Sequence, residues 1–462
     1  MASEKKITVK LLVDKEKSRV VFAESDKDFV DILFSFLTLP LGTVTRVLRK
    51  QSFLGCLDGL YETVENLDAR YLQTEACKTM LLQPISAAAL RCEDLVLSVD
   101  DTKPREFYTC SSFDCCNRTT RYYSSVPKAR CTCGKTMHHV GERMKTGTTS
   151  EDGVFVKGGM RFIICDDLQV MPASVAVFIS LIDKLGIHDT TMLDERNLDL
   201  GVEEVKTLLS KSLISKTPLT DLYFDKLNEA TDQEADDEDL LVQPKDERNA
   251  VAESTKEIKV KLLLEGTHNK VVYLEVEEDF VDLLFSFLTF PLASVVKLLH
   301  GHSSIGSVDN LYKSAEDLGK LGNKYIKSED CNKILLSPKL APFFGCSQNM
   351  LKIDEQLSER YHGYMEVNPK FPVGRTDTGG GYAKGPGKFL VMDGLRVAPV
   401  SLLSAVQDLN EKKVPINSLV EREIEFGEAQ ALNLLKTALL SRNALSAVFS
   451  PNKVRKRRTY RG

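Results

Sequence analysis

Five of the chain's eleven cysteines fall in one stretch, FYTCSSFDCCNRTTRYYSSVPKARCTCGKTMHH (107–139): Cys110, Cys115, Cys116, Cys131 and Cys133. Cys110-x4-Cys115, or Cys110-x5-Cys116, offers one pair of thiols. Cys131-x-Cys133 offers the other. Thiolate sulfur binds zinc at about 2.3 Å, and two knuckles closing on one ion make a tetrahedral four-sulfur site. Gly134 follows the last ligand, where the backbone needs a tight turn that glycine permits. Both spacings depart from the usual C-x-x-C, and His138 or His139 is an alternative to one thiolate. Four protein ligands leave no open position for a substrate, so the expected ion is structural zinc. It would order a stretch too poor in apolar residues to fold alone. No cysteine lies between residues 347 and 462, so zinc bound this way belongs to the first part of the chain only.

Other chemistry-bearing stretches are weaker. The glycine-rich GRTDTGGGYAKGPGK (374–388) fails the phosphate-loop pattern, because Tyr382 stands where its first glycine belongs and Phe389 where Ser or Thr belongs. It reads as a flexible connector. Lys157 in FVKG and Lys384 in YAKG precede a shared hairpin and are candidate anion contacts. Glu195-Arg196 and Glu421-Arg422 also recur, and such charged pairs are usually structural. The seven histidines occupy no matching positions, and no nucleophile elbow, HExxH or dinucleotide fingerprint is present. Lys453, Arg455, Lys456, Arg457 and Arg458 form a basic tail suited to nuclear import or a polyanion.

The elements that must position these residues occur twice. ITVKLLVDKEKSRVVFAESDKDFVDILFSFLTLPL (7–41) aligns without a gap with IKVKLLLEGTHNKVVYLEVEEDFVDLLFSFLTFPL (258–292), identical at 20 of 35 positions. RFIICDDLQVMP (161–172) answers KFLVMDGLRVAP (388–399), and 193–213 answers 419–439. So long a period indicates a duplicated domain rather than a solenoid. Each copy opens as strand, strand and helix, with apolar positions 280, 281, 284, 287 and 288 covering one helix face. Pro40 and Pro291 stop that helix, and a shorter one follows. A strand-like segment, Asp94–Val99 or Asn349–Asp354, comes next. A hairpin and two helices close each copy, with apolar strands flanking Asp166-Asp167 or Asp393-Gly394. Cys77 and Cys92 recur as Cys331 and Cys346, a pattern expected of packing.

The predicted fold class is α+β: two homologous tandem domains, each a small mixed or antiparallel sheet with helices packed on one side. The expected boundaries are 1–224 with the knuckle insert at 107–139, an acidic linker at 225–257, 258–450, and the tail at 451–462. The linker holds 12 acidic against 4 basic residues and reads as solvated. Net charge is −5, so bulk charge does not make the body a nucleic-acid surface. No apolar run reaches the roughly 20 residues of a membrane span. MASEKKITVK lacks the apolar core of a secretory signal, and unpaired cysteine clusters suit a reducing compartment. The cytoplasm or nucleus is therefore expected, not secretion.

The chain resembles a plant family known as domain of unknown function 674. The resemblance is carried by DFVDILFSFLTLPLGTV (28–44), its echo DFVDLLFSFLTFPLASV (279–295), RCTCGKTM (130–137) and the DDLQVMP…SLIDKLGI segment (166–187). It implies a plant source, two copies per chain and no assigned activity, and reads the cysteine-free second copy as decay of the family's pattern. The function read from the sequence is a non-enzymatic binding or scaffold module with a structural zinc knuckle, its partner another protein. One alternative is zinc-assisted nucleic-acid binding through knuckle and tail. The other is an enzyme with a site between the copies.

Overall fold

The computed structural model describes residues 5–112, 115, 121–144, 151–228, 257–266, 270–358, 363–411 and 414–449. Cys116, the linker from residue 229 to 256 and the basic tail lie outside the described residues. Residues 225–228, assigned above to the linker, end a helix, Pro218–Asn228.

Strands in the first half are β1 (Ile7–Asp14), β2 (Arg19–Ser25), β3 (Glu106–Thr109), β4 (Arg121–Ser124), β5 (His139–Glu142), β6 (Phe162–Cys165), β7 (Val170–Pro172) and β8 (Leu193–Leu200). The second half holds β9 (Ile258–Glu265), β10 (Lys270–Glu277), β11 (Tyr364–Glu366), β12 (Lys388–Met392), β13 (Val397–Pro399) and β14 (Leu419–Phe426). They form an α+β fold with two antiparallel sheets of matching order, β7-β6-β2-β1-β8 and β13-β12-β10-β9-β14. Val9, Leu11 and Val13 point inward at the two-residue period of a strand with one buried face. The opening hairpins even shift register alike, between Leu12 and Val13 and between Val271 and Tyr273. The third sheet, β11-β4-β3-β5, draws strands from both halves, and β11 joins β4 in parallel.

Three sequence expectations need correction. The helices Lys27–Phe36 and Glu278–Thr289 are buried all round over 29–36 and 280–289, not along one face. They sit inside one continuous core built from both halves, where a helix has no wet side. Asp94–Val99 and Asn349–Asp354 are not strands. Leu95, Leu97 and Val99 alternate into the core along an irregular, bent segment, which gives the two-residue period without a ladder. Finally, helices cover both faces of the first sheet. Val175–Lys184 packs on its outer side against Val21, Phe22, Ile163 and Cys165. Strands β8 and β14 escaped the pattern reading because only Leu198 and Leu200, or Phe426, bury inward. Glu195-Arg196 and Glu421-Arg422 lie on these two strands, whose charge blunts an exposed sheet edge.

The halves join through reciprocal backbone hydrogen bonds. Leu41 N–H donates to Phe290 O, and Leu292 N–H to Leu39 O, both 2.9 Å. Gln73 N–H donates to Tyr382 O and Lys327 N–H to Phe155 O, both 2.8 Å. Among the described residues, no helix is long and apolar enough to cross a membrane.

Candidate metal centre

Strand β3 delivers Cys110 at its end, and Cys115 N–H donates to Ser112 O (2.9 Å), turning the chain back. The second pair sits on a tight knuckle. Cys131 N–H donates to Lys135 O and Gly134 N–H to Cys131 O, both 2.8 Å. Gly134 takes φ +83°, the left-handed region that glycine enters without strain. The four sulfurs of Cys110, Cys115, Cys131 and Cys133 all lie within 4.8 Å of one another. Cys110 Sγ is 3.7 Å from Cys133 Sγ, and Cys115 Sγ is 3.7 Å from Cys131 Sγ. Four sulfurs placed tetrahedrally at about 2.3 Å from one ion stand about 3.8 Å apart. The donor set therefore fits a zinc-sized ion in both chemistry and spacing. His138 and His139 are exposed and outside this group, so no imidazole is needed.

Electrostatics reinforce the fit. Burial and the neighbouring thiols push Cys110 and Cys115 above the usual thiol range. Burial also acts against Cys133, but the Lys135 backbone N–H and the adjacent thiols outweigh it and bring Cys133 down to about 7. Sulfurs this close compete for ionisation, and a bound dication removes the competition by stabilising every thiolate. Ser112 N–H also donates to Cys110 Sγ (3.4 Å), a supporting contact of the kind that orients metal ligands.

The second half completes this site although it contributes no cysteine. Val367 is fully buried against Cys110, Cys115, Cys131 and Met137, and its N–H donates to Tyr123 O (2.8 Å). Gly374 N–H donates to Cys131 O (3.3 Å), and a Cβ at Gly374 would overlap the Arg130 carbonyl. The glycine-rich stretch is thus not a loose connector. Tyr382 and Ala383 are buried, and both donate backbone N–H groups to Asp282 Oδ1 at 2.7 Å.

Asp282 and its counterpart Asp31 are the residues that pattern reading missed. Asp31 accepts N–H groups from Val154, Phe155 and Val156 (2.5–3.0 Å). Burial outweighs these donors and pushes Asp31 up to about 6 and Asp282 up to about 7. The signal was present: one carboxylate, repeated, amid otherwise apolar FVDILF and FVDLLF. Lys370 is buried beside Asp282's loop, donating to Gly345 O (2.5 Å) with its Nζ 4.4 Å from the Tyr382 ring centre. The candidate anion contacts take equivalent places: Lys157 N–H donates to Tyr325 O, and exposed Lys384 donates its N–H to Tyr71 O. Both backbones thereby serve the joint between halves. Cys77, Cys92, Cys331 and Cys346 pack against the shared core.

The family described as Protein of unknown function (DUF674) matches residues 3–429 of the chain. No curated protein matches it, and no solved structure does.

Proposed function

Because the chain belongs to the DUF674 family, whose function is unknown, we propose its role from its own site: Cys110, Cys115, Cys131 and Cys133 hold one structural zinc ion in a non-enzymatic protein-binding or scaffold module. The observation that carries the proposal is the convergence of four sulfurs at tetrahedral spacing. Zinc would supply binding and order here, with no open coordination position for substrate. The two halves are then two copies of one unit, and the matching order of their five-stranded sheets supports that reading. A protein partner is supported by apolar side chains left outside on corresponding helices: Val175 and Ile179 in the first half, Leu403 and Val406 in the second. Cytoplasm or nucleus is the compartment that suits unoxidised thiols.

The test is metal analysis of protein purified under reducing, chelator-free conditions. About one zinc per chain is expected, lost in Cys131→Ser. Metal-free wild type, or zinc unaffected by the substitution, removes the proposal. Partner binding is tested by cross-linking, with Ile179→Ser and Leu403→Ser expected to weaken capture. A second reading, nucleic-acid binding, is favoured by exposed Arg121 over the Tyr364 ring and by exposed Arg130 and Lys135 on the knuckle. Affinity for single-stranded RNA that falls steeply with salt would select it.

A further inference from the structure

A cleft of about 160 Å³ opens between the halves beside the third sheet. Its apolar walls are Ile85, Ala87, Ala89 and Leu90 from the first half and Ala341–Phe344 from the second. These stretches follow the helices ending at LLQP and LLSP, so they correspond in the repeat. Ser86 and Leu340 pair across the join as an isolated bridge. Tyr123, Ser125, Arg143 and Glu366 close the polar end. A concave apolar site with a few convergent polar groups, at a junction of two structural units, is where small molecules bind.

Size and charge select the class of molecule. A cavity of roughly 150 Å³ lined by apolar side chains admits one benzene ring. The formal charges in the lining cancel: Lys103 and Arg143 against Glu106 and Glu366. Glu366 is 6% exposed and accepts from Ser125 N–H (3.1 Å), Ser125 Oγ–H (2.5 Å), Tyr123 O–H (3.3 Å) and Ser358 Oγ–H (2.7 Å). The Arg143 guanidinium stands over the Tyr123 ring, 5.2 Å from its centre, and donates to Ser125 Oγ (3.4 Å). An anionic head group would meet Glu366 and a cationic one Arg143, each losing hydration without recovering it. A hydroxyl both donates and accepts, so it can replace the water it displaces beside Ser125 and Arg143.

We propose that this cleft binds a neutral single-ring phenol, its ring between the Ala87–Leu90 and Ala341–Phe344 walls and its hydroxyl at the Ser125–Arg143 end. This site is separate from the metal centre and does not depend on which macromolecule the chain binds. The test titrates the full zinc-loaded chain with phenol, benzoate and benzylammonium by calorimetry and ligand-detected NMR. Phenol is expected to bind saturably and at least tenfold more tightly than either charged analogue. Leu90→Trp fills the cleft from its half-exposed rim and should weaken phenol at least tenfold while zinc content stays unchanged. Leu357→Trp, at another lining position that is 80% exposed, does the same if the first variant misfolds. Equal binding of a charged analogue, no saturable phenol binding, or binding indifferent to both substitutions would overturn the proposal.

Discussion

The middles of the two halves differ far more than their sheets do. Between α-helical and hairpin segments of the same kind, the first half carries four converging cysteines, and the second carries β11 and a glycine-rich wrap that buries Tyr382 and Ala383. The second middle contributes parts of its own. It supplies the parallel strand beside β4, seats Val367 under the sulfurs and lays Gly374 on the knuckle backbone. The lesson is that the segments in which the halves differ most supply complementary parts of one site.

The clamp each half makes on its own loop allows the sharpest comparison. Gly153 faces Asp31 and Gly381 faces Asp282 so closely that a Cβ at either would overlap the carboxylate. Gly381→Val should cost roughly 4 kcal/mol or abolish folding, and Gly153→Val should act alike. Chemical denaturation measures both. If one tolerates the change, the two clamps are not equivalent.

The carboxylates themselves make stability depend on pH. Each binds its proton more tightly in the folded chain than in the unfolded one, because burial raises it from 3.8. The folded state therefore holds more protons between about pH 4 and the raised values near 6 and 7, and stability falls as pH rises through that window. A shift of two to three units corresponds to about 3–4 kcal/mol per group as an upper figure. Denaturation midpoints at pH 5 and pH 8 should show the fall, and Asp282→Asn should flatten the upper part of it. A midpoint that rises from pH 5 to pH 8 in the wild type but not in Asp282→Asn would reverse this account.

A smaller effect separates the wrap from the knuckle. Gly374→Ala presses a methyl group into backbone at Arg130 and Cys131 and should cost about 1–3 kcal/mol. It should also speed zinc loss to a chelator, although no ligand is changed. The smallest effect is expected from cutting the chain. Protease sites in the acidic 229–256 stretch should be cleaved first, and the fragments should still co-elute, because one core spans both halves. Fragments that part in native buffer would show that the shared core is weaker than its buried apolar side chains imply.

Much of this was legible in the sequence. The repeated windows located the opening hairpins and core helices, since alternation survives where one strand face meets a core and helical spacing survives even in a helix buried all round. The knuckle was legible because thiols at two short spacings with a following glycine have few other uses. Whether His138 or His139 replaces a thiolate needed coordinates. The sequence also hid the joint ownership of the site, because β11 is three residues long and Val367 looks like any apolar residue. Tertiary burial, not local pattern, covered the core helices on every side and turned Leu95, Leu97 and Val99 inward along a bent segment.

The central claim is that the metal organises both halves together, and amide hydrogen exchange tests it most directly. The amides to follow are Cys131, bonded to Lys135 O, and Val367 and Gly374, bonded to Tyr123 O and Cys131 O. Removing zinc with a chelator under reducing conditions should speed exchange at all three, while Phe34 and Phe285 in the core helices stay protected. Faster exchange at Cys131 with Val367 and Gly374 unchanged would contradict the claim and confine the metal's role to the first half.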